Sequence, residues 1–206
     1  GAEITPSAVF INKKTNIKGG INSPLIQPVI SLIDLYLAKP KNYKQHVICA
    51  FDGLVHAIES YHSTLSNNFT KFMAINGASF ILSGIDKIKS DKYKALENIA
   101  EGSIYSIISL MHSEQNITGA SSYPLAIYYG YNHAYCGASF LEKSILIINK
   151  KNPYLFHSLI NELKFKKIIR EKSVNSLVQK LQSIKKEYRI ENLILDENQI
   201  IKVAKQ

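Results

Sequence analysis

The sequence predicts a mainly α-helical protein with a short two-strand segment at its N-terminus. β-branched and apolar residues are concentrated in residues 1–36, which also contain Pro24 and Pro28. From residue 37 onward, apolar residues recur at three- and four-residue steps, the spacing of one face of an α-helix. No region alternates strand-like and helix-like segments, as a parallel sheet with crossover helices would require.

Residues 1–36 are predicted to form a strand, a loop and a second strand. The first strand is expected over residues 4–12, and turn-forming residues follow over 13–20. The second strand is expected over residues 29–35, where apolar residues dominate. Two strands alone are marginally stable in water, so we expect them to pack on another layer of the protein.

Residues 37–206 are predicted to form an all-helical domain. The first helix is expected over Tyr43–His62 and the second over residues 67–90. Asp91 can accept hydrogen bonds from the exposed N–H groups at the start of a third helix, which would end near His112. Pro124 interrupts residues 116–129, so a short or kinked helix is expected there. Further helices are expected over residues 133–149, 154–166 (with a start at Asn152-Pro153), 173–188 and 197–205.

Composition limits the classes of partner and the compartment. The net charge is +9, but the lysines alternate with apolar residues at helical spacing, which is typical of solvated helix faces rather than of a nucleic-acid groove. No apolar run is long enough to cross a bilayer, and residues 1–6 do not resemble a signal peptide. Cys49 and Cys136 both lie in predicted helices, which favours free thiols. We therefore expect a cytoplasmic protein without nucleic-acid or membrane partners.

The strongest chemical signal is a carboxylate and an imidazole one helical turn apart. Asp52 and His56 are separated by four residues, so they lie on the same face of the first helix and can hold one metal ion together. The alternative is that they are two unrelated polar residues on a helix surface. His133 opens a strongly apolar helix and would face the interior. One Asp and two His suit Fe(II) or Zn(II), with a coordination position left for substrate or water.

Three segments, in this order along the chain, resemble segments of one enzyme family. They are Gly1-Ala-Glu-Ile-Thr5, the helix from Ala50 to Ser60 that carries Asp52 and His56, and Ser122-Tyr-Pro-Leu125 followed by Gly130-Tyr-Asn-His133. Together they resemble the C-terminal part of the iron-containing alcohol dehydrogenases, within the dehydroquinate synthase-like superfamily. The resemblance covers essentially the whole chain, and the Ser-Tyr-Pro-Leu variant is most similar to the branch that includes phosphonoacetaldehyde reductases.

The resemblance implies a fold and a set of site residues. The fold would be the multi-helix dehydroquinate synthase-like C-terminal domain, and residues 1–36 would be the edge of a cofactor domain. Asp52, His56 and His133 fall on the metal-ligand positions of the family. Thr5 falls on a position near the nicotinamide cofactor, and Tyr123 falls where many members carry a His close to the reaction centre.

One departure reduces the ligand set implied by the resemblance to three residues. The family usually has a further His ligand before the Ser-Tyr-Pro-Leu segment, and Gly119 occupies that position in an ungapped match. Glycine has no side chain to donate. His112 is nearby in sequence, but it would need a shifted register to replace the missing ligand.

The activity implied by the resemblance is that of a metal-dependent, NAD(P)-linked alcohol dehydrogenase or aldehyde reductase. The metal would polarise the oxygen of a small alcohol or aldehyde, and an anionic substrate is one explanation for the positive net charge. The sequence contains no Gly-x-Gly-x-x-Gly motif, and the N-terminal cofactor domain of the family is missing from it. We therefore expect NAD(P) binding only together with that domain, and an isolated chain that is inactive. The missing domain and a second copy of the chain are the protein partners considered.

Two other interpretations remain open. Loss of the ligand at Gly119, together with the missing cofactor domain, would suit a degenerate, non-catalytic helical binding module. A metal-dependent lyase or cyclase of the dehydroquinate synthase type also uses one carboxylate and two histidines. Those enzymes carry Glu in the helix and a His-Gly-Glu-Ala-type segment, whereas this chain has His133-Ala-Tyr-Cys136, so this interpretation ranks third.

Overall fold

The computed structural model describes residues 1–12, 14–15, 17–38, 42–114 and 117–196. In these ranges, two strands precede seven α-helices, which confirms the predicted fold class. The predicted helix over residues 197–205 lies outside the described residues, as does residue 116. The elements are β1 (Ser7–Asn12), β2 (Ile17–Asn22), α1 (Tyr43–His62), α2 (Asn68–Lys87), α3 (Lys92–Met111), α4 (Ile117–Tyr129), α5 (His133–Lys151), α6 (His157–Phe165) and α7 (Val174–Glu187).

The two strands form an antiparallel hairpin, and the predicted position of the second strand was wrong. Ser7 pairs with Asn22 and Phe10 pairs with Gly19, so β2 includes the glycines that were predicted to form the turn. A Cβ atom at residue 19 would lie 2.9 Å from the Phe10 ring, so any larger residue would have to displace this ring from the neighbouring strand. Residues 29–35 have no strand partner among the described residues, and Val29 is 98% exposed.

Helix α1 is the centre of the fold and packs against α2, α3, α4 and α5. Its apolar face is fully buried, because Phe51 and Leu54 contact the interior faces of the surrounding helices. Burial of side chains of this size supplies about 1.5–3 kcal/mol each. His46, Asp52 and His56 of α1 instead line a cavity together with residues of the N-terminal hairpin. The largest fully buried core side chains are Phe51, Phe156, Leu54, Ile81, Leu82, Leu125, Leu141, Ile145, Leu159, Leu163, Leu177 and Leu181.

Side-chain caps fix most helix starts where the sequence predicted them. Asp91 accepts a hydrogen bond from the Lys94 N–H at the start of α3, as predicted. Asn67 accepts from the Thr70 N–H at the start of α2, within a reciprocal capping box.

α4 is short and contains Pro124, as predicted. The predicted start at Asn152-Pro153 was wrong, because α6 begins only at His157.

Helices α2 and α3 approach closely because glycines face each other. A Cβ atom at residue 102 would lie 2.8 Å from both the Gly77 carbonyl oxygen and the Ile81 backbone nitrogen. Both are backbone atoms, so an alanine there would force the helices apart. We expect Gly102→Ala to lower the free energy of unfolding by about 1–3 kcal/mol, measured by urea denaturation. Glu101→Ala, one residue away, is the control, and equal stability of both variants would contradict the close packing.

His62, the last residue of α1, predicts a pH dependence of stability. Its ring packs edge-on against Phe156, and its Nδ1 contacts the Ile58 carbonyl oxygen. Burial lowers the pKa of His62 below its ordinary value of 6.5, with a smaller opposing effect of the Ile58 contact. Below about pH 6.5 the unfolded chain therefore takes up a proton that the folded chain resists, so stability falls as the pH falls. Chemical denaturation at several pH values should show a weaker decrease for His62→Gln, and an unchanged decrease would contradict this role.

Candidate metal centre

Asp52 and His56 lie on the polar side of α1, where the helical spacing places them next to each other. The Asp52 Oδ2 atom is 3.8 Å from His56 Nε2. Both side chains are largely but not completely buried, at 28% and 16% exposure. A partly accessible carboxylate beside an imidazole is an arrangement that can accept a cation from solvent.

His133 reaches the same carboxylate from the first residue of α5. Asn132 caps this helix by accepting a hydrogen bond from the Tyr135 N–H, which fixes where α5 begins. Gly137, one turn further along, lets α5 approach α1, because a Cβ atom there would already lie 3.1 Å from the Val55 side chain. As a result, His133 Nε2 is 3.7 Å from Asp52 Oδ1. The structure thus brings the three predicted ligand residues together.

The spacing of the three side chains is slightly wider than that of a closed metal site. Two ligand atoms about 2.1 Å from a tetrahedral metal are about 3.4 Å apart. The carboxylate–imidazole separations of 3.7 and 3.8 Å exceed this value by a few tenths of an ångström. Accordingly, no group of three or more His, Cys, Asp and Glu side chains in the described ranges is closed tightly enough to hold a metal ion as it stands. A small side-chain movement would be needed on binding.

Burial prepares one of the imidazoles for ligation. The pKa of His56 is lowered chiefly by burial, and His133 lowers it further, while the Asp52 carboxylate opposes both effects. A lowered pKa keeps the imidazole neutral at physiological pH. Only the neutral ring offers a nitrogen lone pair to a metal.

Gly119 lies in the first turn of α4 and is held through its backbone. Its N–H donates to Glu59 Oε1 at 2.9 Å, and its carbonyl oxygen accepts from the Ser122 hydroxyl at 2.6 Å. Ser122 in turn lies 2.6 Å from His133 Nδ1. His112 does not replace the missing side chain, because it is exposed at the end of α3 and its ring packs against Phe69.

The three residues open onto a cavity of about 1010 Å³ between the N-terminal hairpin and helices α1, α3, α4 and α5. Thr5 and Tyr123, the other two predicted site residues, also line this cavity. The Tyr123 ring packs edge-on against the His133 ring, with 5.2 Å between their centroids. Thr5 is buried, and its hydroxyl oxygen lies 2.9 Å from the Ala2 carbonyl oxygen, to which it can donate.

The sequence analysis did not identify two residues that line the cavity. His46 and Cys49 line the same cavity from the first turns of α1. Burial lowers the pKa of His46, and its Nε2 atom is buried without a hydrogen-bond partner in the described part of the chain. His46, Cys49, Asp52 and His56 follow one another at three- and four-residue steps, and this spacing on one helix face could have indicated that they belong to the same site. That spacing alone does not show that a cavity covers the face.

The family model for the C-terminal part of the Fe-containing alcohol dehydrogenases matches residues 46–206, which is most of the chain. The chain belongs to the iron-containing alcohol dehydrogenase family. This confirms the resemblance seen in the sequence and places the chain in a family of oxidoreductases.

Two curated relatives are dehydrogenases of Clostridium species. The chain is 26% identical to the 4-hydroxybutyrate dehydrogenase of Clostridium kluyveri over 157 residues, covering 74% of this chain and 42% of the relative. It is 28% identical to the NADPH-dependent butanol dehydrogenase of Clostridium saccharobutylicum over 180 residues, covering 79% of this chain and 46% of the relative. The chain thus spans less than half the length of either relative.

Among solved structures, the fold is similar to that of the sulfoacetaldehyde reductase from Bifidobacterium kashiwanohense in complex with NAD+. The TM-score is 0.86 at 20% identity, and the match covers 99% of this chain and 54% of that chain. At this identity the likeness concerns the fold alone. It confirms the predicted C-terminal domain fold of the family. In the described residues, no helix is both long and apolar enough to cross a membrane.

Proposed function

We propose that this chain provides the metal-binding part of an NAD(P)-linked alcohol dehydrogenase or aldehyde reductase. The observation that carries the proposal is the convergence of Asp52, His56 and His133 in the wall of a large cavity. Family membership supports the same class of chemistry.

The donor set fits a divalent metal in type, since one carboxylate and two imidazoles suit Fe(II) or Zn(II). Asp52, His56 and His133 would hold the ion together, and the cavity leaves space for a substrate next to them. When bound, such a metal supplies Lewis-acid polarisation of an alcohol or aldehyde oxygen. Three side-chain ligands would leave room for that oxygen as a further ligand.

The remaining chemistry belongs to the chain's own side chains. Tyr123 lies against His133 and lines the cavity, which supports a role for its phenol as hydrogen-bond donor to a bound alcohol or aldehyde oxygen. The apolar part of the cavity wall, which includes Leu96, Ile99 and Ile107 of α3, would limit access of water to the reacting atoms.

The nicotinamide cofactor would be bound partly by residues outside this chain. Thr5 lines the cavity near the ligand residues and is proposed to contact the nicotinamide part. The relatives are about twice as long as this chain, which leaves room for a nucleotide-binding segment in the same or another polypeptide. The isolated chain should therefore not reduce an aldehyde with NADH or NADPH.

The proposed substrate is a small alcohol or aldehyde. The relatives are named for 4-hydroxybutyrate and butanol, and the similar structure is named for sulfoacetaldehyde, so both charged and uncharged substrates occur among them. The described cavity wall contains no Lys or Arg side chain. A Lys or Arg side chain that holds an anionic substrate would therefore have to lie outside the described part of this wall.

A non-catalytic helical binding module is the second candidate. Gly119 at the position of a family ligand and the slightly open ligand spacing favour it. Loading the chain with Co(II), whose visible absorption reports coordination, discriminates between the two. The proposed function predicts tight Co(II) binding and a change of the absorption bands when a small primary alcohol is added. Absence of both would contradict it and support the module.

A further inference from the structure

The hydroxyl group of Ser122 makes two short contacts that together specify where its proton lies. The oxygen is 2.6 Å from the Gly119 carbonyl oxygen and 2.6 Å from His133 Nδ1. Ser122 is 1% exposed, so water does not compete for either contact. Both distances are those of hydrogen bonds, and a hydroxyl has only one proton to donate.

A carbonyl oxygen only accepts hydrogen bonds, so the contact with Gly119 requires the proton of Ser122. The contact with His133 can then be a hydrogen bond only if Nδ1 carries a proton and donates to the Ser122 oxygen. In the opposite arrangement, two acceptor oxygens would be held 2.6 Å apart without a proton between them. The only arrangement that satisfies both contacts therefore protonates Nδ1 of His133.

We propose that Ser122 is a positioning residue that holds His133 in the Nδ1–H tautomer, with the lone pair of Nε2 facing Asp52 and the cavity. The Nε2 atom is the one that lies 3.7 Å from Asp52 Oδ1. A neutral ring protonated at Nδ1 has its free lone pair on Nε2, the nitrogen available to a metal. Ligating histidines commonly donate their other N–H to such a partner, which fixes the tautomer and the ring orientation.

The support for Ser122 extends to a buried carboxylate of α1. Glu59 is 1% exposed and accepts hydrogen bonds from the Thr118 and Gly119 N–H groups in the first turn of α4. A carboxylate at a helix N-terminus is favoured by the helix dipole. Glu59 thus holds the first turn of α4 in place, and the Gly119 carbonyl oxygen of this turn accepts the hydrogen bond from Ser122. Gly119 has no side-chain ligand to offer, but its backbone carbonyl takes part in orienting His133.

The first test measures the tautomer directly in the metal-free chain. Nitrogen NMR of histidine-labelled protein at about pH 8, where imidazoles are neutral, distinguishes protonated from unprotonated ring nitrogens. His133 should show a protonated Nδ1 in the wild-type chain, and Ser122→Ala should lose this preference. Ser122→Thr keeps the hydroxyl and should retain it. Ser139→Ala is the matched control, because it removes a buried hydroxyl on α5 that donates only to the Tyr135 carbonyl.

The second test measures metal affinity, and this part rests on the proposed function. Ser122→Ala should weaken Zn(II) binding about 10–100-fold, the usual effect of removing a partner of a ligating histidine. Ser122→Thr and Ser139→Ala should stay within about twofold of the wild type. An unchanged tautomer or unchanged affinity in Ser122→Ala would overturn the inference. If the wild-type chain binds no metal, the proposed function fails, while the NMR result still decides the role of Ser122.

Discussion

Asp52→Ala is expected to abolish metal binding, the largest functional effect of any single substitution in this chain. Asp52 lies beside both of the other ligand residues, at 3.8 Å from His56 and 3.7 Å from His133. Its loss removes the only negative charge from the set and leaves two imidazoles without a common partner. Mutation of a residue that only supports a metal ligand typically weakens metal binding by up to about 100-fold. Because Asp52 is itself a proposed ligand, Asp52→Ala should lower the affinity for Zn(II) by more than that. Titration calorimetry and metal analysis measure this.

Cys49 provides a demanding control for that result. It lies on the same face of α1, lines the same cavity and is a free thiol, so it is the other residue of α1 that a soft metal would select. Cys49→Ala should leave Zn(II) affinity within about twofold of the wild type. If Cys49→Ala rather than Asp52→Ala removed the metal, the assigned ligand set would be wrong.

Lys185→Met is expected to have the largest effect on stability. The Lys185 ammonium group lies between α7 and α5, where it donates to the Ala138 carbonyl oxygen at 2.8 Å and to Glu142 Oε2 at 3.0 Å. It also donates to the Asn192 side chain beyond α7. Burial lowers the pKa of Lys185, and the Glu142 charge opposes this effect. Methionine fills a similar volume, but the buried Glu142 carboxylate then loses the positive charge of Lys185. We expect this to lower the free energy of unfolding by about 3–5 kcal/mol.

Urea denaturation of the metal-free chain measures this effect without interference from ligand binding. The exposed pair of Lys89 with Glu187 joins the end of α2 to α7 and is the matched control. Lys89→Ala should change the midpoint very little, because solvent screens an exposed ion pair. A Lys185→Met chain as stable as Lys89→Ala would show that the buried pair contributes nothing.

Local features of the fold could be predicted from the sequence, because the residues that determine them are neighbours in the chain. The bounds of α1 and the cap of α3 at Asp91 follow from periodicity and capping chemistry over a few residues. β2 could not be placed in this way. Gly19 and Gly20 favour a turn locally, whereas in the strand Gly19 leaves space for the Phe10 ring of the paired strand. The global contact outweighed the local preference.

The candidate site likewise has local features, which the sequence predicts, and long-range ones, which it does not. Asp52 and His56 lie one helical turn apart, so their spacing alone predicted that they are neighbours. His133 joins them through the packing of α5 on α1, which Gly137 eases, and the sequence indicated its role through family resemblance rather than through spacing. The contact of Ser122 with His133 depends on how α4 meets α5, and the place of His46 in the cavity wall depends on the hairpin residues that line the same cavity. Neither relation has a local signature.

The most direct test of the metal-centre assignment is the binding stoichiometry of the wild-type chain. Purified, metal-free protein would be titrated anaerobically with Fe(II) and separately with Zn(II), followed by metal analysis after removal of free ions. The three converging side chains predict one tightly bound ion per chain, lost in Asp52→Ala and retained in Cys49→Ala. A wild-type chain that binds neither metal, or binds either one equally well without Asp52, would contradict the assignment.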